Sequence, residues 1–307
     1  MFDLLIVGGG PGGVSAGVYA SRKQLKTALV VEEWGGQSIV SDAVQNWIGT
    51  ISISGADLAK ALENHLKAYA GDIVTIHERV RVTTIVKNGE TFTATLSDGS
   101  TIESKAVLIT TGSSRRKLDV PGAERLDHRG LTYCATCDGP LFSDQDVVVI
   151  GGGNAAFESA AQLLAYTKSV TLLNRGETFR ADPVTVEKLS AHPNFKIIKN
   201  AVPIEIIGEK FVSGMTYKDA VTGEVHTLSV GGIFVEIGLI PTTSFLGDLV
   251  PQDDMGRIVI DPWTQQTGTK GVWAAGDCTN IKYHQNNISS GDAVKALEDI
   301  YVHLKTK

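Results

Sequence analysis

Asp3-Leu4-Leu5-Ile6-Val7-Gly8-Gly9-Gly10-Pro11-Gly12-Gly13 and Asp146-Val147-Val148-Val149-Ile150-Gly151-Gly152-Gly153-Asn154-Ala155-Ala156 decide the fold. The two stretches align without a gap at an offset of 143 residues, Gly8 on Gly151. Each is a short apolar strand running into a glycine turn. Each is followed by a helix-like run, 14–22 and 157–166, and then by a second strand, 27–31 and 169–173. Strand, turn, helix and strand in that order form a dinucleotide-binding unit. Glycines at Gly8, Gly10 and Gly13, with Pro11 opening the helix, let the backbone approach a pyrophosphate. The free N–H groups of the helix start then bind it. Gly151, Gly153, Asn154, Ala155, Ala156 and Glu158 hold the matching positions in the second copy. A single glycine turn is weak evidence, since nucleotide-free α/β folds have them too. Two in register, each with its second strand, are strong evidence.

The ends of the second strands separate the two units. A carboxylate there bonds adenosine ribose hydroxyls, whereas an arginine accommodates a 2′-phosphate. The first unit has Glu32 and Glu33, with Glu32 22 residues past Gly10. At the same offset past Gly153 the second unit has Arg175, with Asn174 before it and Arg180 after. The first unit therefore suits FAD, and the second suits NADPH better than NADH. Arg175 and Arg180 also read as ordinary solvated surface residues.

Residues 73–95 are rich in β-branched side chains and carry a turn at Lys87-Asn88-Gly89, so they read as a β-meander inserted after the first unit. Residues 106–112 form a buried strand ending in a turn. The second half repeats this order, with a β-rich insert at 204–217 and 226–229 and a buried strand at 232–238. Short linkers at 112–117 and 239–243 give a discontinuous first domain, 1–113 with 244–307, and an inserted second domain, 114–243. The expected class is α/β, with two Rossmann-like dinucleotide-binding domains of the three-layer ββα type, the second inside the first. Gly271-Val272-Trp273-Ala274-Ala275-Gly276-Asp277 is an apolar strand whose terminal carboxylate can bind flavin ribityl hydroxyls or cap the next helix. Residues 291–305 read as a final amphipathic helix.

Cys134-Ala135-Thr136-Cys137-Asp138 places two sulfurs within one turn, with a carboxylate behind them. Such a pair can alternate between dithiol and disulfide, and Asp138 can exchange protons with its thiols. Half a zinc site and inert core cysteines have the same pattern. Zinc normally wants four ligands, no second pair exists, and the histidines show no ligand spacing, so a redox dithiol is favoured and no metal is expected. Cys278 reads as a buried bystander. A net charge of −6 argues against nucleic acid or an anionic membrane as main partner. No apolar run is long enough to span a bilayer, and the start lacks a basic segment, so a cytoplasmic protein is expected.

Together these features resemble the low-molecular-weight thioredoxin reductases and the flavoprotein module of alkyl hydroperoxide reductases. The resemblance covers essentially the whole chain. It rests on residues 8–13, Gly35-Gly36-Gln37, Asn46-Trp47, Thr111-Gly112, residues 134–139, residues 151–158 and Ala274-Ala275-Gly276-Asp277. It implies FAD in the first domain, a nicotinamide cofactor in the second, a homodimer, and an inserted domain that swings between two poses. It implies that Cys137 faces the flavin, Cys134 attacks a partner disulfide and Asp138 is the acid–base group. Gln37, Asn46, Asp277 and Gln285 would contact FAD, with Gly36, Val80, Thr111 and Gly112 around them. Gly276, His284 and Asn286 belong to the same site, and Ile237 to the nicotinamide side. Two departures stand out. The family's 2′-phosphate signature, His-Arg-Arg-x-x-x-Arg, reads Asn174-Arg175-Gly176-Glu177-Thr178-Phe179-Arg180, which leaves NADH, ferredoxin or another donor open. The Arg-Gln-Ala near the flavin reads His284-Gln285-Asn286. The N-terminal redox domain usual for the hydroperoxide-reductase module is missing here, so thioredoxin or a glutaredoxin-like protein is expected as acceptor. Ferredoxin– or quinone–nicotinamide reductases share the fold but generally lack the dithiol.

Overall fold

In the computed structural model, which describes residues 1–41 and 43–305, the opening apolar run is β1 (Phe2–Gly9). It leads through α1 (Pro11–Arg22) into β2 (Thr27–Trp34). Proline suits the first helical position because it has no N–H to leave unpaired there. α2 (Gly55–Ala70) is capped by Ser54, whose Oγ accepts the Asp57 N–H at 3.0 Å. Leu58, Leu62 and Leu66, four apart, bury one face of that helix. β3 (Val74–Glu78) then pairs in parallel with β2, and β4 (Val82–Asn88), β5 (Thr91–Leu96) and β6 (Thr101–Ile109) follow. The sheet order is β3-β2-β1-β6-β5-β4. The stretch 73–95 is therefore not one meander. Its first strand extends the parallel sheet, and only β4 and β5 form the antiparallel hairpin, turning at Gly89.

Two short crossings, β7 (Ser113–Arg115) and a later strand at 239–241, pair with each other. Between them lies the second unit. β8 (Leu131–Thr132), α3 (Ala135–Asp138), β9 (Asp146–Ile150), α4 (Asn154–Leu163) and β10 (Ser169–Leu173) come first. α5 (Pro183–Ser190) and β11 (Phe195–Ile198) lead to an antiparallel meander of β12 (Ala201–Gly208), β13 (Val212–Asp219) and β14 (Val225–Leu228). β15 (Gly232–Val235) closes a parallel sheet in the order β11-β10-β9-β15-β8. β8 precedes the dithiol, so the cysteines follow directly on a strand of this sheet. After β16 (Leu239–Pro241) come β17 (Val272–Ala274), parallel to β6, and α6 (Asn286–Lys305). α6 starts five residues earlier than its apolar pattern suggested.

The chain separates into two compact units, Met1–Ser114 with Ile240–Lys307, and Arg115–Leu239. The second crossing falls at 239/240 rather than 243/244, because Leu239–Pro241 pairs with β7. In the first unit, alternate residues of β1 serve two cores. Leu4 and Ile6 join α1, α2 and α6, while Leu5 and Val7 join Phe92, Leu96, Ile258 and Ile260. This period-two division makes the three layers. Burying each of these leucines contributes about 1.5–3 kcal/mol.

Candidate active site

In both sheets the central strand's crossover runs to one side while the other neighbour comes from later in the chain. β1 sits between β2 and β6, and β9 between β10 and β15. Open α/β sheets bind ligands at the strand carboxyl ends beside such a switch point. In the first unit that place is a cleft of about 880 Å³, within the usual range for cofactor pockets.

The glycine turn forms its floor. A Cβ on Gly8 would lie 2.4 Å from the Thr110 carbonyl oxygen, and one on Gly13 would lie 1.8 Å from the Gly8 carbonyl oxygen. Those two glycines answer to the protein's own packing. Gly10 differs, because its Cβ would meet nothing nearer than Gly36 Cα at 3.8 Å. Gly10 also caps α1 without a side-chain bond, so the helix start offers its N–H groups to the cleft. Glu32 and Glu33 line the far end, with Gly36, Gln37 and Val80 nearby. Gln37 Nε2 donates to Asp277 Oδ2 at 3.2 Å and to Ser113 Oγ at 3.1 Å. Thr111, Gly112, Gln285 and Asn286 complete the set that the structure brings into the lining.

Asn46, Gly276 and His284 are not part of that lining. Asn46 Nδ2 donates to Gln285 Oε1 at 3.1 Å, Gly276 packs on Ser289, and His284 Nδ1 lies 3.4 Å from Asp277 Oδ1. The last contact is an ion pair only when the imidazole is protonated. Sequence reasoning missed Arg81, Ser113, Thr242, Phe245 and Ser289, which also line the cleft. None of these carries a motif. Only the fold brings 242–245 and 289 next to the turn.

The second unit repeats the turn. Gly153 caps α4 without a side-chain bond and has nothing within 4 Å of an added Cβ. Asn154 is spent structurally, its Oδ1 accepting the Asp182 N–H at 2.7 Å. Ala155 and Glu158 are exposed, Ala156 is buried, and Ile237 packs against the core behind β15. Asn174 is buried and shapes the loop after β10, its Nδ2 donating to the carbonyls of Gly176 at 2.7 Å and Thr178 at 3.0 Å. The Arg180 N–H ties that loop to Gly152 at 2.8 Å. Arg175 and Arg180 are exposed, and neither guanidinium has an ion-pair partner among the described residues. Glu177, between them, accepts from Lys199 Nζ and Asn200 Nδ2, both at 2.9 Å. The Lys199 hydrogen bond holds its carboxyl below the usual range.

The dithiol is oxidised, with Cys134 and Cys137 joined at a Cα separation of 5.3 Å. Cys134 caps α3, and its Sγ accepts the Cys137 N–H at 3.1 Å. Thr132, buried at the end of β8, donates its hydroxyl to Asp138 Oδ2 and accepts the Cys134 N–H at 3.4 Å. One hydroxyl thus joins the carboxylate to the cysteine backbone, a role no sequence signal gave. Cys278 is fully buried in the first unit, and burial pushes its thiol up to about 11.

Residues 2–291 match the pyridine nucleotide-disulphide oxidoreductase family.

The chain belongs to that family.

Among curated proteins it is 39% identical over 295 residues to an NADH dehydrogenase of Bacillus subtilis (strain 168), covering 96% of this chain and 57% of that protein. It is 41% identical over 295 residues to an alkyl hydroperoxide reductase component of Staphylococcus aureus (strain NCTC 8325 / PS 47), with the same coverage. The chain thus spans 57% of the length of these relatives. Among solved structures it resembles thioredoxin reductase from Streptococcus pyogenes MGAS5005, with a TM-score of 0.89 and 33% identity over 100% of this chain and 99% of that one. Thioredoxin reductase from Giardia duodenalis gives a TM-score of 0.90 and 32% identity over 98% and 99%. The chain has the α/β fold of these thioredoxin reductase structures. No helix among the described residues is long and apolar enough to cross a membrane.

Proposed function

We propose that the chain is a flavin-dependent disulfide reductase. In this reading electrons pass from NADPH through FAD and the Cys134–Cys137 pair to thioredoxin or a thioredoxin-like protein. The observation that carries it is the Cys134–Cys137 disulfide in one turn, with Asp138 tied to it through Thr132.

The first unit fits FAD on three counts. Its cleft has the volume, Gly10 leaves open space at an uncapped helix start, and Glu32, Glu33 and Asp277 offer acceptors to ribose and ribityl hydroxyls. Bound there, FAD supplies a two-electron relay between a nicotinamide hydride and a disulfide. Gly10 and the α1 start would hold its pyrophosphate, and Gln37 orients Asp277.

Two electrons and two protons convert the Cys134–Cys137 disulfide to a dithiol. The Cys134 thiolate then attacks one sulfur of the acceptor's disulfide, forming a mixed disulfide and expelling the other sulfur as a thiolate. Asp138 takes up the proton that Cys134 gives up on attack and passes it to this leaving thiolate. The Cys137 thiolate next attacks Cys134 Sγ, which restores the internal disulfide and releases the acceptor as a dithiol.

NADPH is favoured because Arg175 and Arg180 present two guanidiniums without ion-pair partners among the described residues, while Lys199 offsets Glu177. NADH is the second reading. It is favoured by Glu177 in the same loop and by the NADH dehydrogenase among the relatives. An anaerobic titration of the flavin-loaded protein separates the two, since the nucleotide that bleaches the flavin at lower concentration is the donor. Adding thioredoxin with a chromogenic disulfide tests the acceptor, and failure of both nucleotides to bleach refutes a nicotinamide donor. The proposal includes a homodimer, which sedimentation equilibrium checks.

A further inference from the structure

One carboxyl group in the second unit has no part in that route. Glu236 is the first residue past β15, on the opposite side of β9 from β10 and the two arginines. Its N–H donates to the carbonyl of Ile150, the last residue of β9, at 2.8 Å. Its own carbonyl lies against Gly151, leaving no room there for a Cβ. The backbone is therefore fixed at the switch point. The side chain reaches α4, where Oε1 accepts from Ser159 Oγ at 2.7 Å. In a dinucleotide-binding unit the strand–helix–strand that carries the glycine turn holds the adenosine half, here β9, α4 and β10. The strand across the switch point serves the nicotinamide half.

We propose that Glu236 sets the selectivity of this site between the oxidised and reduced forms of the nicotinamide ring. The oxidised ring is cationic and the reduced ring is neutral. An ionised carboxylate beside the ring favours the oxidised form, and a protonated carboxyl does not distinguish them. The groups facing Glu236 are Ser159 and Glu158 from α4 and Arg115 from β7. Burial, the largest influence, raises its proton affinity above the ordinary carboxylate range. Ser159 and Arg115 oppose this, and Glu158 adds to it. Below that titration the oxidised product is not held back; above it, product retention grows.

This inference rests on the proposed nicotinamide reading, and one experiment separates the two. FAD-loaded, oxidised protein is titrated with NAD⁺, NADP⁺ and their 1,4,5,6-tetrahydro analogues, which keep a neutral ring but donate no hydride. Binding is followed by calorimetry from about pH 5 to about pH 9, a window that spans a raised carboxyl. The preference for the oxidised form should rise roughly three- to tenfold with pH in the native protein. It should be flat in Glu236→Gln. Ser159→Ala, which removes a bond to the ionised form, should move the rise to higher pH. A rise that persists unchanged in Glu236→Gln, or whose midpoint ignores Ser159→Ala, overturns the role of Glu236 while nucleotide binding stands. If none of the four nucleotides binds the native protein, the nicotinamide reading fails and this inference with it.

Discussion

Gly8 and Gly10 lie two residues apart in the same turn, yet the structure assigns them opposite duties, and an alanine at each separates the two. Gly8 has φ +123°, a conformation alanine adopts only under strain of about 1–3 kcal/mol. Its new methyl would also stand 2.4 Å from the Thr110 carbonyl oxygen. Relieving that contact moves β6 from β1 where Thr110 N and Thr110 Oγ1 both donate to the Val7 carbonyl at 2.8 Å. Each of those bonds contributes about 1 kcal/mol. Gly8→Ala should therefore cost about 3–5 kcal/mol and lower Tm on the order of 10 °C. Gly10 has φ −79°, ordinary for alanine, and its nearest neighbour would be 3.8 Å away. Gly10→Ala should leave the Tm of the flavin-free protein nearly unchanged. It should weaken FAD roughly tenfold, because its methyl enters the space for the pyrophosphate. Thermal unfolding by circular dichroism and equilibrium dialysis of FAD measure the two effects. Equal Tm losses in both variants, or full FAD affinity in Gly10→Ala, would refute this division of labour.

Cys137→Ser leaves Cys134 without a resolving thiol, so the reduced variant should accumulate a mixed disulfide with an acceptor, visible as a shifted band on a non-reducing gel. Thr132→Val should slow acceptor reduction about tenfold by freeing Asp138, and Thr132→Ser should restore it. Equal rates in the valine and serine variants would count against the hydroxyl. Cys278 has its thiol raised from 9.0 to about 11, so the folded protein holds this proton longer than the unfolded chain does. Its contribution is fully present below pH 9 and is lost as pH rises toward 11, a fall of about 2–3 kcal/mol. Denaturant titrations across that window should show a shallower fall in Cys278→Ala.

The parallel strands and glycine turns were legible because apolar runs of fixed length met glycines at fixed offsets. Residues 73–78 were misassigned because β-branched alternation marks a half-buried strand without naming its partner; pairing with β2 is decided in three dimensions. β8 has two residues, too few for any period. The first turns of α6 contain Asn286, Asn287, Ser289 and Ser290, poor helix formers. Their helix is held by bonds from distant residues, Asn286 to Ser38 at 2.8 Å and Asn287 to the Asn46 carbonyl at 2.6 Å. Gly8, Gly10, Gln37 and Asp277 line the cleft from motif positions, whereas Arg81, Ser289 and Thr132 gain their meaning only from neighbours far along the chain or across a turn.

Asp277, Gln285 and Ser289 come late in the sequence but complete a cleft whose floor is laid down by residues 8–12. During translation the opening strands must wait while the whole second unit, which has its own apolar interior, leaves the ribosome and folds. A nascent chain halted before Lys270 would therefore lack Asp277, Gln285 and Ser289, and with them one wall of the cleft proposed for FAD.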